Sequence, residues 1–308
     1  MHLLWLRNGV INESNRNINM SFIAKEYSDK ELVATRIPPM VDDDLYKFMD
    51  KCISVNTADL PNLLDDFKAE MNDYVFNNDV NSLFFSSNVF KHQDICIGCT
   101  QYIDDLYQTH GYDNIMTLEK DYKYHWRLNN QIKYYNLETL EPGKQLLISM
   151  PFPYYGDKHQ DMDKLLDRCQ ELEIPVHVDS AWITVSKNIE FNYNHPAIQS
   201  FAISLSKGLA LGSHRIGVRW SRSKMAGPIS IMNEFNMNCK SLVWIGLQYM
   251  NQFEPGYLWK KYQKHYDKIV SDFSLQPTKA LHLATRNNEP VGIRPLLLYL
   301  EYKKIDNE

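Results

Sequence analysis

Apolar residues along the chain recur at two spacings. Leu60, Leu63, Leu64, Phe67, Met71, Val75 and Phe76 repeat at helical intervals, which predicts an amphipathic helix over 60–76. Short apolar runs bounded by polar or turn residues predict strands near 94–97, 114–118, 145–150, 175–179, 199–204 and 216–220. Helical spacing returns near 99–110 and 159–173, between strands. Strands that alternate with helices are covered on both faces, so the pattern predicts an α/β domain: three layers, α/β/α, around a mainly parallel sheet. Further on, helical segments near 229–252 and 256–272 lead to two late strands near 279–285 and 294–302, the pattern of a small α+β domain. The expected organisation is an N-terminal arm and part of the small domain over 1–55, a large domain over 56–228 and a small C-terminal domain over 229–308.

Composition supports this picture and excludes several classes. With 308 residues, 44% apolar and 12% aromatic, the chain can bury a sizeable core. A net charge of −5, a pI near 6.1 and no concentrated basic face argue against a nucleic-acid partner. No apolar run is long enough to span a membrane, and the first residues lack the basic start and cleavage site of a signal peptide. Five cysteines, an odd number, point to a reducing compartment, so cytoplasmic residence is expected. Cys96-Ile-Gly-Cys99 has Cys-x-x-Cys spacing, but no second pair follows and the ten histidines show no ligand spacing; no metal is expected.

The chemistry concentrates in Ser204-Leu-Ser-Lys-Gly-Leu-Ala-Leu-Gly-Ser-His-Arg-Ile-Gly217. Lys207 among small and aliphatic neighbours is partly desolvated, which makes its amine a usable nucleophile towards an aldehyde. Ser204, Ser206 and Arg215 suit a dianionic phosphate, the arginine acting as a planar fork. An aldehyde bearing a phosphate describes pyridoxal 5'-phosphate. Upstream, Val176–Val178 reads as a buried parallel strand that delivers Asp179 to its carboxyl end, where ligands of open α/β sheets bind. A carboxylate there can pair with a protonated pyridine nitrogen. At Asp94-Ile-Cys-Ile-Gly-Cys-Thr-Gln101 a strand ends in glycine and opens a helix, so the backbone of Gly98 and Cys99, with Thr100, offers N–H groups to an anion.

Taken together, these segments resemble the fold-type I pyridoxal-phosphate-dependent aminotransferase superfamily, the class I/II and histidinol-phosphate aminotransferase-like proteins, in a compact variant. Arg215 follows Lys207 by eight residues, and Asp179 in Asp-Ser-Ala-Trp182 precedes it by 28, both in keeping with the family. The resemblance implies a Schiff base at Lys207, a phosphate held by Gly98, Cys99, Thr100, Ser204, Ser206 and Arg215, and an aromatic over the ring. Tyr122 is the choice for that aromatic, with Tyr124 the alternative. Arg294 is the expected partner of the substrate carboxylate, with Arg286 the alternative. Transamination between an amino donor and a 2-oxo acid is the implied reaction, in a homodimer.

Two departures qualify that reading. Pro151-Phe-Pro-Tyr-Tyr-Gly156 stands where the family has Asn-Pro-x-Gly, so Phe152 replaces the asparagine that bonds the ring hydroxyl. Trp182 replaces the family's tyrosine; its indole N–H donates but cannot titrate as a phenol. Another reaction of the same cofactor, decarboxylation or elimination, and a cofactor-binding homologue without turnover are the alternatives.

Overall fold

A computed structural model describes Met40, residues 42–53 and residues 60–305. Most of the expected N-terminal arm lies outside the described residues. The last part of that segment forms helix α1 (Asp43–Ile53), which the apolar pattern does not predict. Its first free N–H groups are met by Asp42, whose Oδ1 accepts from Asp44 at 3.1 Å and Leu45 at 3.2 Å.

The predicted helix at 60–76 is α2 (Leu63–Phe76), burying Leu63, Phe67, Met71 and Val75 on one face. Two short strands, β1 (Ser82–Phe84) and β7 (Glu190–Asn192), pair in parallel away from the main sheet and have no counterpart in the apolar pattern. The main sheet has seven strands: β2 (His92–Cys96), β3 (Ile115–Leu118), β4 (Tyr134–Tyr135), β5 (Gln145–Ser149), β6 (Val176–Asp179), β8 (Ile198–Ser204) and β9 (Gly217–Ser221). Their spatial order is β2-β9-β8-β6-β5-β3-β4. β9 runs antiparallel to both neighbours, and the other pairings are parallel.

The six predicted strands are all in this sheet, each displaced by two residues or fewer; only β4, two residues long, is too short to leave a pattern. Burial of all four residues of β3 and β6 and all seven but Gln199 of β8 accounts for their continuous apolar runs. Helices α3 (Gly98–His110), α4 (Tyr124–Leu128) and α5 (Met162–Glu171) connect the strands. The result is the predicted α/β arrangement with a mainly parallel sheet.

The segment predicted as one helix over 229–252 is divided into α6 (Pro228–Glu234) and α7 (Lys240–Gln252). Asn236 between them has φ 54°, in the left-handed region that interrupts a helix. α6 packs on β2 and α3, while α7 packs on α2 and α1. Helix α8 (Tyr257–Asp272) follows.

The late strands differ from expectation. A small antiparallel sheet forms from β10 (Gln276–Pro277), β11 (Leu283–Arg286) and β12 (Glu289–Gly292). Residues 294–302 are not a strand: they belong to helix α9 (Arg294–Ile305), which packs on α8. The run Pro-Leu-Leu-Leu-Tyr-Leu carries no period that separates a buried strand from a buried helix. Pro295 is compatible with a helix because a first-turn residue needs no N–H.

Candidate functional site

The carboxyl ends of β3, β5, β6 and β8 open on the same edge of the sheet, and the chemistry-bearing residues gather there. Asp179 ends β6, in register with Ser149 on β5 and Ala202 on β8. Its side chain is buried, and burial pushes its carboxyl up to about 6, with the negative charge of Asp121 adding to the rise. The Ala181 N–H, donating to Oδ1 at 3.0 Å, opposes that shift, as do a hydrogen bond with Cys99 and the positive charge of Lys207. Asp179 and Lys207 are thus close enough for their charges to interact.

Lys207 lies in the turn after β8. Gly208, next to it, sits so close to the 183–185 turn that a Cβ would come within 2.3 Å of the Thr184 carbonyl oxygen. Thr184 ties the same region from the other side, its Oγ1 donating to the Ser204 carbonyl at 3.1 Å. The two turns that carry Trp182 and Lys207 are therefore clamped backbone to backbone.

A second cluster surrounds the start of α3. Gly98 has φ +72°, a conformation that L side chains rarely adopt. Helix α3 has no side-chain cap, so its first N–H groups face outwards as an anion site. A Cβ on Gly98 would lie 3.5 Å from Nε and Nη2 of Arg215 and 3.5 Å from the Ser204 Cβ, so these residues flank the glycine. Arg215 donates from Nη2 to the Thr100 hydroxyl at 2.5 Å. The Ser206 hydroxyl is buried without a hydrogen-bond partner. A buried hydroxyl left unpaired is costly, and a ligand within its reach would satisfy it. Gly98, Thr100, Ser204 and Arg215 are thus brought together.

The Cys99 thiol has a place of its own: Sγ donates to the Ala202 carbonyl at 3.3 Å and stands beside Asp179. Burial pushes it well above its ordinary pKa, and burial pushes Cys96 up to about 12. Both are free thiols held protonated, unsuited to metal or redox work.

Tyr122 and Tyr124 follow β3 and stack on each other, ring centroids 5.8 Å apart and planes 22° from parallel. Tyr122 is 42% exposed. The Tyr124 hydroxyl donates to Asp104 on α3 at 2.8 Å, and its ring stands within reach of the Arg215 charge. Both tyrosines therefore flank the edge of the cluster. Asp121, just before them, accepts from the Ser149 N–H at 3.0 Å and the Tyr122 N–H at 2.6 Å. Sequence reasoning missed Asp121, although a carboxylate after a buried parallel strand was the signal that singled out Asp179.

Phe152 is buried, stacked on Tyr155 at 5.6 Å and edge-on to His159 at 4.7 Å, so it offers no donor to a ring hydroxyl. Trp182 is half-buried and meets His282 edge to face at 4.4 Å. Arg294 is the first residue of α9, not a strand residue, yet its charge reaches His282 as does that of Lys207. Burial lowers the pKa of Arg294, and its Nε is buried without a partner. Arg286 instead donates to the Phe273 carbonyl at 3.4 Å. His282 was not singled out in the sequence because it lies in a segment with no motif around it.

Among the described residues no group of three or more His, Cys, Asp or Glu is placed to hold a metal ion, and no helix is long and apolar enough to cross a membrane.

No family model matches the chain, and no curated protein matches it. Solved structures do. The chain is similar to the aspartate aminotransferase of Thermus thermophilus with maleate, at 13% identity and a TM-score of 0.55, covering 89% of this chain and 81% of that one. It is similar to the N-succinyldiaminopimelate aminotransferase of Mycobacterium tuberculosis, at 10% identity and a TM-score of 0.57, covering 87% and 80%. A PLP-bound C-S lyase of Staphylococcus hominis matches at 12% identity and a TM-score of 0.55, covering 94% and 84%. Strand order, the antiparallel β9 and these likenesses agree: the chain has the fold of the fold-type I aminotransferase structures.

Proposed function

We propose that the protein is a pyridoxal-phosphate-dependent enzyme acting on an amino acid or related amine, with aminotransferase as the leading activity. The observation that carries this reading is that the charge of half-buried Lys207 reaches buried Asp179, beside a cluster in which Ser204 and Arg215 flank Gly98. The residues fit the cofactor: the cradle takes a phosphate, and Asp179, raised by burial, gains from a cation at the ring nitrogen.

When bound, pyridoxal phosphate supplies an aldehyde carbon for an amine and a ring that accepts the electrons of a bond broken at the substrate Cα. The Lys207 amine holds the carbonyl position and, once displaced, moves a proton at the substrate Cα. Asp179 would keep a proton on the ring nitrogen, and Tyr122 is the aromatic that would stack on the ring. Gly98, Cys99 and Thr100 bind phosphate through the first turn of α3, and Ser204, Ser206 and Arg215 close round it. Trp182 lines the ring, and Arg294 takes the substrate carboxylate. An amino donor and a 2-oxo acid acceptor are the substrates, and a homodimer is the working form. Five free cysteines suit the cytoplasm.

A second reading, a cofactor-binding homologue with little turnover, is favoured by the buried Phe152, which offers no hydrogen bond to the ring oxygen. One experiment separates the two. The cofactor-loaded protein is mixed with single amino acids, without acceptor, and its visible spectrum is followed. Aminotransferase activity predicts a spectral change with at least one donor that is reversed by a 2-oxo acid. A spectrum unmoved by the whole panel contradicts it.

A further inference from the structure

The segment before β11 and the start of α9 meet at one point: the Ile293 N–H donates to the His282 carbonyl at 3.1 Å, so His282 and Arg294 are presented side by side. The His282 ring is buried, edge-on to Trp182, and exposed to the charges of Lys207 and Arg294. Two polar atoms in this corner are buried without partners, Nε2 of His282 and Nε of Arg294. Unpaired buried polar atoms are rare because each forfeits its hydration, so two in one corner call for a shared partner.

We propose that His282 is a substrate-contacting specificity residue, its Nε2–H donating to one oxygen of the substrate carboxylate while the Arg294 guanidinium takes the other. The ring suits this role because it stays neutral. Burial and the two nearby cations push its pKa down to about 3, so it donates one hydrogen bond without adding a third positive charge. Trp182 fixes the ring plane, which sets where the carboxylate must lie relative to Lys207. The corner thus selects amino acids over amines that lack the carboxylate.

This inference rests on the cofactor reading, and the test keeps the two apart. Wild type, His282→Phe and His282→Gln are loaded with pyridoxal phosphate, and covalent attachment to Lys207 is checked by borohydride reduction. Binding of maleate and of 3-phenylpropionate is then measured by calorimetry, with the histidine ring nitrogens followed by 15N NMR. The expected result is that at least one carboxylate binds wild type and shifts the His282 resonance. Its Kd should rise about tenfold or more in His282→Phe and recover in His282→Gln. Equal Kd values in wild type and His282→Phe, or no binding of either carboxylate to wild type in which Lys207 is labelled, overturn the proposal and leave the cofactor reading standing. Failure of labelling in folded wild type overturns both.

Discussion

At the residue scale, several buried groups have preferences that the protein alone does not meet. Asp179 is the clearest. Its folded pKa of about 6 lies above the ordinary 3.8, so well below pH 3.8 both folded and unfolded chains carry the proton. As pH rises, the unfolded chain loses it first, and folding stability falls by about 2 kcal/mol in the cofactor-free protein between pH 4 and 7. His177 and His282, both pushed down to about 3 by burial, act in the opposite sense over that range. The quantity to measure is therefore the difference from Asp179→Asn, by urea denaturation across that range. The variant should gain on wild type as pH rises; parallel curves would show that Asp179 is not held up by burial. Ser206 gives a second prediction. Because its hydroxyl has no partner, Ser206→Ala should raise cofactor-free stability by about 1 kcal/mol while weakening pyridoxal phosphate binding about tenfold. A large loss of stability with unchanged cofactor affinity would mean the hydroxyl serves the fold instead.

At the scale of elements, the sheet was legible and its flanks were not. Strands buried on both faces leave continuous apolar runs, so β3, β5, β6 and β8 stand out along the chain. Asp179 and Ser204 stand out with them because they end β6 and β8. Arg294 shows the limit: it was expected in a strand and opens a helix, because the five apolar residues after Pro295 fit strand and helix alike. His282 and the Cys99–Asp179 contact were illegible because each depends on which strands and helices meet, not on local spacing. The contact between the Lys207 turn and the 183–185 turn is likewise tertiary, and it makes a prediction. Gly208→Ala drives a Cβ into the Thr184 carbonyl and should cost about 1–3 kcal/mol, read as a lowered melting temperature. The same variant should lose cofactor, because it displaces the turn that carries Lys207. Unchanged stability would mean that the two turns are not clamped as described.

At the scale of the whole molecule, one exposed apolar region asks for a covering surface. Ile231, Phe235 and Met237, on and just after α6, are 53%, 67% and 65% exposed. Large apolar side chains clustered in this way mark an interaction surface, and a second copy of the chain is the partner that the proposed function requires. Sedimentation should give a dimer, and Phe235→Glu with Met237→Glu should give a monomer of unchanged helix content; a wild-type monomer at micromolar concentration would contradict the homodimer. The proposed chemistry depends on a single amine, that of Lys207. Protein incubated with pyridoxal 5'-phosphate, reduced with borohydride and digested should carry the pyridoxyl group on the peptide containing Lys207, and Lys207→Ala should carry none at any lysine. A wild-type protein that binds no cofactor, or is labelled elsewhere while Lys207 stays unmodified, would contradict the account.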